Sequence, residues 1–194
     1  LVRGNPDEII DKYLSDSNMA MFDHNKCEIY DRRNCVYQEL QTLLYFGQKN
    51  GNYKDNPNLM INQIKKYKKE GYPENNGLVC CMIMSRKHNE PDVVKTMEDW
   101  WVEIKHNSRR DQLSFNYTAW KNNFKFTYMG DEDVRNNNWF KNTGQHKGKK
   151  HNKELDKSIV LIGNASIEKY KNSKFTDIYK KIDSFDNVVR FNRF

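Results

Sequence analysis

The chain has 194 residues, with 33 basic and 26 acidic side chains and a formal net charge of +7. This length is enough for one ordinary domain. A positive charge raises the alternative of a nucleic-acid-binding protein. The basic residues are spread along the chain and mixed with acids, which argues against that class. No apolar run approaches the roughly 20 residues of a membrane-spanning helix, so we expect no span in this chain.

The first part of the chain alternates helical patterns with short apolar runs. Helices are predicted where apolar residues recur every three or four positions between capping residues and glycines. Gly47 and Gly51 are expected to end the second of them. The continuous apolar run over 78–84 indicates a strand buried on both faces. The pattern predicts helices over 5–14, 35–45 and 56–70 and strands over 19–22 and 78–84.

After residue 90 the sequence pattern changes twice, from helical to irregular and then to apolar runs typical of strands. Further helices are predicted over 92–105 and 111–121, followed by a strand over 124–129. A polar, glycine-containing stretch over 130–156 is expected to be irregular, and we place a domain boundary near residue 150. Beyond it, apolar runs over 158–163 and 188–192 flank a glycine turn, which is typical of the opening of a Rossmann-type fold. The sequence therefore predicts an α/β protein in two parts, 1–150 and 151–194.

Four cysteines are present in the chain: Cys27, Cys35, Cys80 and Cys81. Because Cys80 and Cys81 are adjacent in a predicted strand, their side chains should point to opposite faces of the sheet. No Cys-x-x-Cys pair exists, which argues against a zinc site. We expect free thiols and a reducing compartment.

The segment between 100 and 112 holds the densest group of residues that could bind or react with a ligand. Arg110 suits phosphate or carboxylate recognition because its planar group donates two parallel hydrogen bonds. Asp111 beside Gln112 offers both acceptors and donors for sugar hydroxyls, and the face of Trp100 could stack on a sugar. The structural alternative is that Trp100 belongs to the core, Asp111 caps a helix, and Arg110 pairs with Glu103 on the surface.

Resemblance to a known family adds to this interpretation. The segments 97–104 and 108–115 resemble the most recognisable block of a hexosyltransferase-like family, domain of unknown function family 616. Further segments follow in the same order as in that family, at 20–24, 34–39, 63–73 and 77–89. The resemblance covers about 1–150 and implies the acceptor-side half of a GT-A-like, metal-dependent glycosyltransferase domain. Its donor half, with an acidic metal motif, would precede Leu1.

The resemblance also implies roles for individual residues. An acid near the acceptor could orient or deprotonate its hydroxyl, and a late histidine could join a divalent metal. The implied donor is a UDP-hexose, the acceptor a glycan, and the metal Mn²⁺ or Mg²⁺ in the longer protein. For His24 and His146, ordinary loop histidines are the alternative. The implied roles are catalytic for Asp111 and Glu103, substrate-binding for Arg110, Gln112, Trp100 and His24, and metal-binding for His146.

A second resemblance covers 157–194. The order Gly163, Asn164, Ser166 and later Asn192 is similar to the large motif of glycosyltransferase family 29, the sialyltransferases. In that family the two asparagines contact the nucleotide of a CMP-sugar, and no metal is expected. Gly163 would allow close approach of the backbone to the nucleotide. The resemblance implies the start of a Rossmann-like sialyltransferase domain that continues beyond Phe194.

These observations predict a fragment of a protein that transfers sugar from a nucleotide-sugar donor to a glycan, and the fragment alone is expected to be inactive. The alternative is a non-catalytic carbohydrate-binding or interaction module. No nucleic-acid partner is expected. The expected location is the cytoplasm, with membrane association an open alternative, or the Golgi lumen for a eukaryotic source.

Overall fold

The computed structural model describes residues 2–28, 31–130, 132–142, 160–163 and 188–191. It confirms a mixed α/β architecture. Five α-helices and five strands are present among these residues, and short 3₁₀ turns follow β1 and precede α5. The elements are α1 (Asp7–Tyr13), β1 (Met19–Asp23), α2 (Val36–Asn50), α3 (Pro57–Lys69), β2 (Val79–Arg86), α4 (Pro91–His106), α5 (Phe115–Lys121), β3 (Thr127–Tyr128), β4 (Val160–Gly163) and β5 (Val188–Phe191).

The strands form one mixed sheet in the order β3-β1-β2-β5-β4. β1 and β5 both run antiparallel to β2, whereas β3 is parallel to β1 and β4 is parallel to β5. The boundary near residue 150 stays a prediction. Within the described ranges, no helix is both long and apolar enough to cross a bilayer.

Both faces of β2 are buried, as the apolar run predicts. Cys80 belongs to a cluster with α1 and the segment around Trp139, whereas Cys81 packs with α4 and α5 on the other face. This confirms the expected opposite orientation of the two thiols. A third cluster lies among α2, α3 and α5, where the rings of Tyr67 and Tyr117 stack 3.6 Å apart. The central strand thus separates two apolar layers.

Three predicted elements differ from the structure by more than two residues at one end. α2 continues through Gly47, because the missing side chain there leaves room for the ring of Tyr53, and ends at Gly51 with φ +65°. The predicted helix over 111–121 is a 3₁₀ turn at Asp111–Leu113 followed by α5. The strand predicted over 124–129 shortens to β3, because only Thr127 and Tyr128 pair with β1.

Gly77 precedes β2 in the left-handed region, with φ +79°, and a side chain there would overlap the hydroxyl of Tyr128. Gly77→Ala should therefore lower the free energy of unfolding by about 2–4 kcal/mol, from backbone strain and overpacking together. Urea unfolding followed by tryptophan fluorescence measures this change. Gly71→Ala is the matched control, since Gly71 has φ +84° and no atom within 4 Å of the added carbon. Equal losses in the two variants would contradict the steric part of the argument.

Candidate functional site

A cavity of about 380 Å³ opens between α2, the end of β1, β2 and the turn at Asp111–Leu113. Its volume falls in the range of small-molecule sites. Most of its lining residues are polar or charged, and the half-exposed ring of Phe46 also lines it. The polar and charged lining residues are His24, Asp31, Arg33, Glu39, Thr42, Asn50, Asn52, Lys54, Arg110, Gln112 and Arg135.

Positive charge exceeds negative charge around this cavity. Four cationic side chains, Arg33, Lys54, Arg110 and Arg135, face two carboxylates. The buried Glu39 accepts from Arg33 Nε at 2.6 Å and lies 3.7 Å from Arg110 Nη2. Arginines held this way present their remaining N–H groups in fixed directions, which suits phosphate or carboxylate ligands.

The second carboxylate, Asp31, holds two of the same arginines. It accepts from Arg33 Nη1 at 2.8 Å and forms a close ion pair with Arg135. Both partners keep the pKa of Asp31 below its usual value, although burial opposes them. Asp31 is therefore ionised at neutral pH and ties the segment around residue 135 to the wall of the cavity.

Local hydrogen bonds position His24 and Gln112 at the wall of the cavity. At the end of β1, the Asp23 carboxylate accepts from the backbone N–H of Asn25 at 2.9 Å and starts a 3₁₀ turn. The backbone N–H of His24 donates to Leu78 O at 2.8 Å, which fixes the turn against β2. On the opposite side, Gln112 Nε2 donates to Val79 O at 3.1 Å. Both segments are thus tied to the start of the central strand.

Three of the predicted substrate-binding residues share the cavity wall: His24, Arg110 and Gln112. Arg110 Nη2 donates to Gln112 Oε1 at 3.4 Å. His24 is buried, and its Nε2 accepts from Arg33 Nη2 at 2.9 Å. Residues separated by more than 80 positions in the sequence therefore meet at one site.

Asp111 lies between two lining residues but points into the protein, and only 5% of it is exposed. Its carboxylate accepts from the backbone N–H of Gln112 at 2.8 Å. Burial raises the pKa of Asp111 to about 7, although that hydrogen bond and the charge of Arg110 oppose the rise. A carboxyl group that titrates near neutrality beside a cavity is typical of general acid–base sites.

Trp100 and Glu103 lie away from the cavity. Trp100 packs in the core, where its Nε1 donates to Ser114 Oγ at 3.0 Å, as in the structural alternative drawn from the sequence. Glu103 accepts from Lys66 Nζ at 2.6 Å and from Tyr67 Oη at 2.9 Å. Arg110 is therefore paired with Glu39 and not with Glu103.

The remaining predicted site residues cannot be placed in the cavity. Gly163 is the last residue of β4 and pairs with Phe191. His146, Asn164, Ser166 and Asn192 lie outside the described residues. Their roles stay predictions from the two resemblances.

Sequence reasoning gave no site role to Glu39 and Asp31, which hold the arginines, or to Arg33 and Arg135. Asp31, Arg33 and Arg135 lie outside the recognised segments, and the segment 34–39 marked Glu39 only as part of a helix. Sequence reasoning also missed a cluster of His24, Cys27 and Cys80, whose potential ligand atoms lie within 4.8 Å of one another. The His-x-x-Cys spacing at 24–27 was the available signal. In the described part of the chain this is the one such cluster. Thiols are soft ligands, so the cluster does not fit Mn²⁺ or Mg²⁺, which prefer oxygen.

Comparison of the chain with protein-family models, with curated proteins and with solved structures gave no match in any of the three.

Proposed function

We propose that this chain is part of a glycosyltransferase and that its cavity binds the phosphate-bearing sugar of a nucleotide-sugar donor. The observation that carries the proposal is the excess of positive charge on arginines that Glu39 and Asp31 already hold in place. Such arginines lose little freedom when they bind an anion, which favours affinity. The order of segments that resembles the hexosyltransferase-like family supports the same class.

The cavity wall also supplies groups that a sugar needs. Arg110 and Gln112 stand together at one side, and both can hydrogen-bond to hydroxyl or phosphate oxygens. Phe46 is half exposed at the edge of the cavity, and its ring offers an apolar face on which a hexose can stack. The stacking role predicted for Trp100 therefore suits Phe46 better, since Trp100 is buried.

In this proposal Asp111 acts on the acceptor hydroxyl as an acid or base, because its carboxyl group titrates near neutral pH. A movement of the turn at Asp111–Leu113 would have to bring the carboxyl group to the cavity, since Asp111 is buried and does not line it. In a GT-A-like enzyme an acidic motif would hold the divalent metal. For residues 151–194 we propose a CMP-sugar site, supported by residue order and by the parallel β4–β5 pair.

Arg110→Ala is expected to weaken binding of UDP-glucose to the chain by about tenfold or more, because a hydrogen bond to a charged group contributes about 1.5–3 kcal/mol. Isothermal titration calorimetry at fixed salt concentration measures the affinity. Arg109→Ala is the matched control, since Arg109 does not line the cavity and its side chain donates to the backbone carbonyl of Lys54. Circular dichroism checks that both variants are folded.

Titrating the same chain with other ligands distinguishes the proposed donor site from a carbohydrate-binding module and from a nucleic-acid-binding protein. UDP-glucose binding that inorganic pyrophosphate competes away, with no binding of glucose, supports the proposal. Binding of neutral oligosaccharides without any response to UDP-glucose would replace it with the carbohydrate-binding module. Tight binding of a polynucleotide that falls steeply with added salt would indicate a nucleic-acid-binding protein instead.

A further inference from the structure

Two buried thiols meet beside the cavity without being bonded. Cys27 Sγ lies 3.4 Å from Cys80 Sγ, and both residues are at most 2% exposed. Both are free cysteines. A disulfide needs its sulfurs about 2.05 Å apart, so the pair is in contact but remains reduced. Cys80 also lines the cavity, which gives a small reagent a route to the pair.

The protonation of His24 decides what this cluster can do. Arginine is only a donor, so the contact from Arg33 Nη2 at 2.9 Å makes His24 Nε2 an acceptor. The ring proton must then sit on Nδ1, which is buried and has no oxygen or nitrogen partner among the described residues. A bound cation would require a lone pair at a ring nitrogen. The arrangement therefore favours a dithiol over a metal centre.

The surroundings distinguish the two sulfurs. The contact with Cys80 is the main cause that lowers the pKa of Cys27, burial opposes it, and His24 adds to the lowering. The charge of Arg135 also faces Cys27, while Asp133 opposes the lowering. The same contact with Cys27, together with burial, raises the pKa of Cys80. Of the two contacting sulfurs, Cys27 is therefore the one that ionises more readily and reacts first.

We propose that Cys27 and Cys80 form a redox-active pair that hydrogen peroxide converts into an intrachain disulfide. The Cys27 thiolate attacks one peroxide oxygen, the O–O bond breaks, and the departing hydroxide takes up a proton to become water. The Cys27 sulfenic acid is then attacked by the sulfur of Cys80, which loses its proton. The S–O bond breaks, the S–S bond forms and a second water leaves. Two thiols are oxidised and one peroxide is reduced to two waters.

The experiment treats the reduced 194-residue chain with hydrogen peroxide and maps cross-linked peptides by mass spectrometry without reduction. The Cys27–Cys80 disulfide should exceed every other cysteine pairing by about tenfold or more, because the two sulfurs are already in contact. Cys80→Ser should leave a sulfenic acid at Cys27 that dimedone traps, and Cys27→Ser should remove the cross-link. Cys35→Ser and Cys81→Ser are the matched controls and should retain it.

Several results would overturn the inference. One is a wild-type chain that keeps its native circular dichroism in peroxide and forms no Cys27–Cys80 link. Another is oxidation of Cys35 or Cys81 at the same rate. A third is one zinc ion per purified chain that is lost on Cys27→Ser, which would make the cluster a metal site. None of these readouts involves a sugar, so the inference stands or fails separately from the proposed function.

Discussion

Glu39→Gln is expected to lower the free energy of unfolding by about 3 kcal/mol or more, the loss found when one partner of a buried ion pair is removed. Only 2% of the Glu39 side chain is exposed, and the side chains of Arg33 and Arg110 are only 13% and 14% exposed. The substitution keeps the shape of the side chain but leaves both guanidinium groups with less neutralising charge. Urea unfolding of the two proteins, followed by tryptophan fluorescence, measures the difference.

Glu74→Gln is the matched control, because it makes the same chemical change in an exposed pair. Glu74 lies 4.0 Å from Lys68 with 70% of its side chain exposed, so its substitution should change stability by less than about 1 kcal/mol. Inorganic phosphate should stabilise Glu39→Gln more than the wild type, since the carboxylate no longer competes for the arginines. Equal stability of the Glu39 and Glu74 variants would show that Glu39 does not hold the cavity together.

Asp111→Asn should make the protein more stable above pH 7 and leave it unchanged near pH 4. The pKa of Asp111 is about 7 in the folded chain and 3.8 when unperturbed, so the folded state binds the proton more tightly. The wild type therefore loses stability as pH rises from about 4 through 7, by at most about 4 kcal/mol. The asparagine cannot ionise and avoids this loss. Unfolding in urea at a series of pH values measures it.

The control variant, Asp99→Asn, should change stability in the opposite direction. A hydrogen bond from Lys95 lowers the pKa of the exposed Asp99, so Asp99→Asn should reduce stability slightly, and only above the unfolded pKa of the carboxyl group. In a longer protein with sugar-transfer activity, Asp111→Asn should lower turnover by about 10²–10⁴-fold, as for loss of a general acid or base. Unchanged turnover would remove the proposed role of Asp111, and a pH-independent stability difference would contradict its raised pKa.

Much of the secondary structure could be predicted because its causes are local. The Asn56 side chain accepts from the N–H groups of Asn58 and Leu59, so the first residue of the predicted helix over 56–70 caps the start of α3. The apolar run of β2 and the opposed thiols of Cys80 and Cys81 follow from the two-residue repeat of a strand. The predicted ends of elements were wrong where a tertiary contact decided them. Gly47, for example, packs against Tyr53 and lies inside α2 instead of ending it.

The sequence by itself determined the mixed α/β class, the central buried strand and the group of hydrogen-bonding and charged residues around Arg110. These features could be predicted because periodicity and residue chemistry act over a few neighbouring positions. Only the tertiary structure decided which of these residues come into contact at one site. It brought His24 to Arg110 and Gln112, buried Trp100, and assembled the cation-rich cavity and the Cys27–Cys80 pair. These contacts join residues far apart in the chain, and their partners depend on how β1, β2 and the turn before α5 pack together.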